Sequence, residues 1–236
     1  RLVDAVDGPH AFTGHQKLGV QFTPEACTLP LETSTVCITG FGAEKEATGS
    51  IPNRAADAFA VYTWLDCSLV GLGEAELRRR TEVAHRNNAQ TVVENVFWTG
   101  GARPTSQYLA SDDSVSEVVG GSTVNLQSAA TVIVTGAVDI VEAIARLEQA
   151  MAGCYGGVPT IHAPRGVTNH GVTHHLLENR GPNLITRNGS IFVPAPGYPG
   201  TSPAGATPTA GTTWLYATGS VKMLQSEIFF TARSGA

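Results

Sequence analysis

Two histidines four residues apart, His170 and His174, come nearest to a metal site by residue type and spacing. On a helix, an i, i+4 pair puts both imidazoles on one face, the arrangement zinc takes in the H-E-x-x-H proteases. Gly171 follows the first histidine where those proteases carry glutamate, so the general base of that chemistry is missing. A third ligand would have to come from His162, Glu178 or a distant segment. Without one, His162, His170, His174 and His175 read as polar surface histidines able to titrate at a subunit contact. The next signal is Gly71-Leu72-Gly73, after a strand-like run and before a helix. A dinucleotide turn needs a third glycine for close helix packing, and Glu76 stands there instead, adding a charge that repels pyrophosphate. Ordinary turn punctuation is the better reading. Neither G-x-S-x-G nor a phosphate-binding G-x-x-x-x-G-K-[ST] occurs. Cys27, Cys37, Cys67 and Cys154 lack any C-x-x-C pairing, so buried free thiols are expected rather than a zinc ribbon or a disulfide framework. No catalytic residue, cofactor or metal is expected.

Charge excludes other classes. The 236 residues carry a net charge of −5 with lysine only at 17, 45 and 222, too little positive charge for an extended nucleic-acid footprint. The one basic run, Arg78-Arg79-Arg80, is flanked by Glu74, Glu76 and Glu82 and reads as a solvated or subunit-facing helix surface. Charged residues make up 15% against a usual value of about 25%, which suits either uncharged β loops or extensive subunit contacts. No apolar run approaches the roughly 18 residues of a membrane span, and no signal peptide is visible.

The elements that would position these residues follow from period and punctuation. Residues 1–35, with Gly8-Pro9, Gly14, Pro24 and Pro30, read as an extended arm. Val36–Phe41 and Phe59–Asp66 are strand-like and, across a polar stretch, form a two-stranded projection whose tip is Lys45 to Arg54. Glu74–Trp98 is the longest helical segment, acidic in its first turn and stopped by Thr99-Gly100-Gly101. Short strands are expected in 101–134, ending at Thr131–Val134. Val138, Val141, Ile144, Ala145 and Met151 recur at helical spacing. Gly153, Gly156 and Gly157 then offer a left-handed stop. Val158–His162 is a strand closed by Pro164, Val167–Leu177 a helix, and Ile191–Pro194 a strand. The Pro-, Gly- and Thr-rich run from Pro194 to Thr213 reads as a surface loop. Trp214–Thr218, Val221–Leu224 and Glu227–Thr231 close the chain as strands, with Gly219-Ser220 turning between the first two. Irregular mixing of helices and strands makes the class α+β.

This order resembles the major capsid proteins of tailed bacteriophages, a fold shared with encapsulin shell proteins. VDIVEAIARLEQAMAGCYGGVPTIHAPRGV is similar to that family's axial-domain helix, strand and Pro-bearing helix start. NLITRNGSIFVPAPGYP is similar to its later turn and strand, and TWLYATGSVKMLQSEIFFTA to the strand pair returning to the peripheral domain. The resemblance covers most of residues 36–231 by layout rather than by a defining motif.

The resemblance implies an N-terminal arm (1–35), an extended loop (36–66), and a peripheral domain (67–134) with a spine helix at 74–98. It also implies an axial domain (135–215) and a return to the peripheral domain (216–236). It implies a structural subunit that self-assembles into pentamers and hexamers around packaged double-stranded DNA, without sequence-specific contacts. A decoration protein is a further possible partner, and no membrane is involved. The shell would assemble in the host cytoplasm and be located in the virion. Subunit contacts are expected at Phe12 and Phe22 of the arm, Lys45 and Arg54 of the projection, and Arg78, Arg79 and Arg80 of the spine. The chain departs from the family by ending soon after its last strand, where a further closing strand often follows. Some members join Lys to Asn between subunits; Lys45 lies in the right region, but no Asn partner stands out and no crosslink is expected. The alternatives are an encapsulin-like compartment shell, a tail-tube or decoration protein, and a metal-dependent enzyme using His170 and His174.

Overall fold

The computed structural model describes residues 73–100, 132–153, 155–203 and 205–221, shorter stretches at 9–11, 20–22, 54–56, 59–64, 116–119, 122–125 and 223–225, and residues 109, 228 and 230. These form a mixed α+β fold around a five-stranded sheet. The helices are α1 (Glu74–Thr99), α2 (Ile140–Ala152) and α3 (Val167–Thr173).

The sheet has the order β10-β6-β9-β8-β7. Its members are β6 (Thr160–Pro164), β7 (Leu177–Arg180), β8 (Asn183–Thr186), β9 (Ile191–Ala195) and β10 (Tyr216–Thr218). β6 and β9 run parallel at its centre, linked by α3 and the β7–β8 hairpin, and the other pairings are antiparallel. Parallel strands need both faces covered. On β9, Phe192 packs into one core with Ile144, Ile161, Ala163 and Leu177, beneath Ile140 and Leu147 of α2 and Val167 of α3. Val193 and Ala195 face the second core, made with Trp98, Leu109, Tyr198 and Tyr216. The period of two along β9 thus feeds two different layers.

Helix ends follow local chemistry. Asp139 caps α2, its Oδ1 accepting the Glu142 N–H at 2.9 Å. α1 ends on Gly100 at φ 77°, whose N–H reaches the Val96 carbonyl at 2.8 Å. Gly153 stays right-handed at φ −74°, which corrects the expected left-handed stop there. Glu148 ties α2 to the sheet, accepting from the Asn188 side chain at 2.6 Å, Ser190 Oγ at 2.7 Å and Thr186 Oγ1. Three donors satisfy a half-buried carboxylate that would otherwise be costly to desolvate.

Several expectations need correction. The second short helix stops at Thr173, because His175 turns left-handed (φ 55°) and Arg187 Nε donates to its carbonyl at 2.8 Å. Leu177 then enters β7, where it is buried against Gly171. The strand expected at 158–162 is shifted to 160–164, with the Pro159 carbonyl accepting the Ile191 N–H. Residues 132–134 are not a strand; the 101–134 region instead contributes the paired strands β4 (Ser116–Val119) and β5 (Ser122–Asn125). Residues 59–64 are not in a strand, and residues 36–41 lie outside the described residues. Gly219-Ser220 does not join a hairpin. β10 pairs with β6, whereas β11 (Met223–Gln225) runs parallel to β1 (Pro9–Ala11). Ile228 and Phe230 are not in a strand.

Candidate functional site

Length sets the character of α1. Its 26 residues span about 39 Å at 1.5 Å per residue. Glu94 and Trp98 are its only buried residues, both in the last two turns. Upstream the helix is held by its own ion pairs. Arg79 Nε and Arg80 Nε both reach the Glu76 carboxylate at 2.8 Å, and Arg86 pairs with Glu82. Hydrogen bonds from Arg79 and then Arg80 bring the Glu76 carboxyl down to about 2 and raise Arg79 in turn. Pairs this exposed give a helix without a core some solubility but little stability.

Beside this outward helix runs residues 59–64, FAVYTW, joined to it by a 3.1 Å hydrogen bond between Thr63 Oγ1 and His85 Nδ1. Its aromatic rings belong to neither core cluster of the described residues. Phe59 is 52% exposed, Trp64 75% and Tyr62 79%. One exposed ring is ordinary; three within six residues, beside an unburied helix, have the composition of a contact surface. Val83 and Val92 of α1 are also exposed, and Arg78 lies 4.5 Å above the Phe230 ring.

The anchored end of α1 is built differently. Gly197 lies so close that a Cβ there would strike the Thr91 carbonyl and approach Glu94 Cβ at 2.7 Å. Glu94 accepts the Gly197 N–H at 3.1 Å and the Gln90 side chain at 2.9 Å, and Asn95 Nδ2 donates to the Gly197 carbonyl. Trp98 packs at a tilt against Tyr198 and edge-on against Tyr216, with centroids 4.9 and 4.8 Å away, and donates from Nε1 to Thr201 Oγ1 at 3.0 Å. Burial pushes both tyrosine hydroxyls up, Tyr198 with help from the Glu94 charge. The Pro- and Gly-rich run is therefore no mere surface loop: Gly197, Tyr198 and Gly200 are buried. An open groove of about 350 Å³ runs beside this junction, lined by Thr91, Val92, Asn95, Pro196, Gly197 and Pro199. It presents no ionisable side chain.

No known protein family, curated protein or solved structure matches this chain.

The residues expected at subunit contacts fall into three groups. Arg78, Arg79 and Arg80 are on the exposed part of α1. Phe22 and Arg54 are register partners, since β2 (Val20–Phe22) runs antiparallel to β3 (Arg54–Ala56). Phe12 and Lys45 lie outside the described residues, as do all four cysteines and Gly71-Leu72. His170 and His174 are exposed on the last turn of α3 and just beyond it, with the His174 N–H on the His170 carbonyl at 3.1 Å. Among the described residues no three His, Cys, Asp or Glu side chains gather as a metal requires, so the pair lacks a third protein ligand there. His162 is not a surface histidine: it is wholly buried. Its place in the apolar run TIHAP was the available signal. No helix among the described residues is long and apolar enough to cross a membrane.

Proposed function

We propose that this chain is the structural subunit of an icosahedral virus shell of the tailed-bacteriophage type, assembling into pentamers and hexamers that enclose double-stranded DNA. The observation that carries the proposal is α1. Its 26 residues, buried only at Glu94 and Trp98, lie beside three exposed aromatic rings. A helix of that length with so little of its own core gains its remaining burial from other copies. The segment order read from the sequence supports the same conclusion. Short strand pairs tie arm to projection and arm to chain end, giving three residues of pairing each, which suits segments that complete their order on assembly. In this reading the sheet and its two cores supply rigidity, and α1 with residues 59–64 supplies contact area.

Removing the exposed rings tests this directly. Tyr62→Ala with Trp64→Ala is expected to leave the fold intact, since neither ring is buried in the single chain. Assembly should be weakened by at least 100-fold, because interface aromatics often contribute about 2 kcal/mol or more each. Sedimentation velocity of parent and variant, with circular dichroism as a fold control, measures both. Equal assembly of the two would remove this surface from the contact, and a parent that stays monomeric at high concentration would reject the shell reading.

A further inference from the structure

His162 is a buried, titratable side chain for which a shell subunit has no evident need. It sits on central strand β6, wholly buried, where three separate elements meet. From α1, Phe97 contacts the imidazole edge-on at 5.3 Å. From the loop after β9, Tyr198 Oη lies 3.0 Å from Nδ1, and from β10, Thr218 Oγ1 lies 2.9 Å from Nε2. The bonding pattern fixes the tautomer. Thr218 gives its hydroxyl hydrogen to the Gly219 carbonyl at 3.0 Å, so it accepts from Nε2–H. Nδ1 is then left to accept the Tyr198 hydroxyl hydrogen.

A second proton on the ring defeats this arrangement. Nδ1–H would need the Tyr198 oxygen as its acceptor, so the phenol hydrogen must give up Nδ1 and turn away, and a cation would stand in a wholly buried site. The ionisable groups on the elements around it offer little relief. Tyr198 and Tyr216 are neutral phenols, Tyr155 accepts the Ser220 N–H, and Glu94 of α1 is engaged by Gly197 and Gln90. The other charged groups of α1 lie eight or more residues further up the helix, the nearest being Arg86. Tyr198 in turn packs at a tilt against Trp98, so displacing it loosens the anchored end of α1.

We propose that His162 is an acid-sensitive latch: protonation unseats Tyr198 and releases the C-terminal end of α1 from the sheet while the opposite core stays closed. It would be a property of the single chain, whatever that chain assembles into. Burial brings the seated imidazole down to about 3 from an ordinary 6.5. The released ring titrates near the ordinary value. The seated state therefore keeps its full advantage above pH 6.5 and loses it progressively as pH falls towards 3.

Hydrogen exchange of the full chain, corrected for intrinsic rates, reads the two regions separately. Between pH 7 and pH 5 the opening of residues 91–99 and 196–201 should rise about 25-fold, with residues 140–152 of α2 unchanged. His162→Gln should abolish the rise. The rise should begin near pH 6.5 in the unsubstituted chain, so the test holds even if that variant fails to fold. Onset only in the carboxylate range near pH 4, equal opening of α2, or a rise persisting in His162→Gln would each overturn the latch.

Discussion

Trp98→Ala is expected to lower the unfolding free energy by about 3–5 kcal/mol, the cost of emptying a large aromatic site in a closed core. Trp98 is wholly buried and touches Tyr198 and Tyr216. Its indole N–H also serves Thr201 Oγ1, so truncation leaves a hydroxyl without its donor as well as a cavity. The surrounding rings cannot readily collapse, because Tyr216 is pinned to the Thr201 carbonyl at 2.9 Å and Tyr198 to His162. Urea unfolding measures the loss. A change below 1 kcal/mol would mean that the helix end is not held by this cluster. Trp98→Phe should recover most of the packing and cost less than half as much.

Gly197→Ala carries the second large effect, about 3 kcal/mol, the upper part of the usual range for overpacking. Backbone conformation is not the reason, since Gly197 does not have positive φ. The reason is approach: the added methyl meets the Thr91 carbonyl, Glu94 Cβ and, at 3.0 Å, the Asn95 backbone nitrogen. Two of these are backbone atoms of a hydrogen-bonded helix and cannot turn aside. Separating loop from helix also strips Glu94 of the Gly197 N–H. Gly205→Ala provides the control. Gly205 is left-handed at φ 73° but has nothing within 4 Å of a Cβ, so only conformational strain of about 1 kcal/mol is expected. Chemical denaturation of both variants separates close approach from backbone strain, and equal losses would contradict the assignment.

What the sequence made legible was mostly local. α1 could be bounded within a residue because Gly73 and Gly100 bracket it, and the end of α2 because Gly153 follows it; the start of α2 was not marked, since its apolar period already begins at Val138. Ile191 to Pro194 read as a strand from its apolar run alone, and the observed strand adds only Ala195. Long-range pairing left no such mark: nothing in TIHAP or IFVPA announces that the two lie side by side and parallel. Phe59–Trp64 has strand composition, yet its aromatic residues are exposed beside α1 without ladder partners. β-propensity measures fit to a half-buried surface and does not say which chain supplies that surface. Glycine is equally mute about its cause. Gly100 serves a left-handed turn and Gly197 a close approach, and one letter stands for both.

The candidate site was legible only in outline. The Arg78–Arg80 run reads as a solvated or subunit-facing helix surface, and the Arg79 and Arg80 side chains are more than half exposed in the single chain. Phe22 and Arg54 lie 32 positions apart in the sequence, and the register sets them opposite each other. The histidine cluster misled in one respect, because His162 was grouped with exposed neighbours although a buried strand carries it. A polar residue inside a short apolar run marks burial with a partner as readily as a surface position. The partners here, Tyr198 and Thr218, are 36 and 56 residues away.

Negative-stain electron microscopy of the purified native material, with size-exclusion chromatography alongside, tests the central claim most directly. Closed polyhedral shells of uniform diameter, with nuclease-protected double-stranded DNA inside, are the predicted result. Monomers or small oligomers at every concentration tried would contradict it.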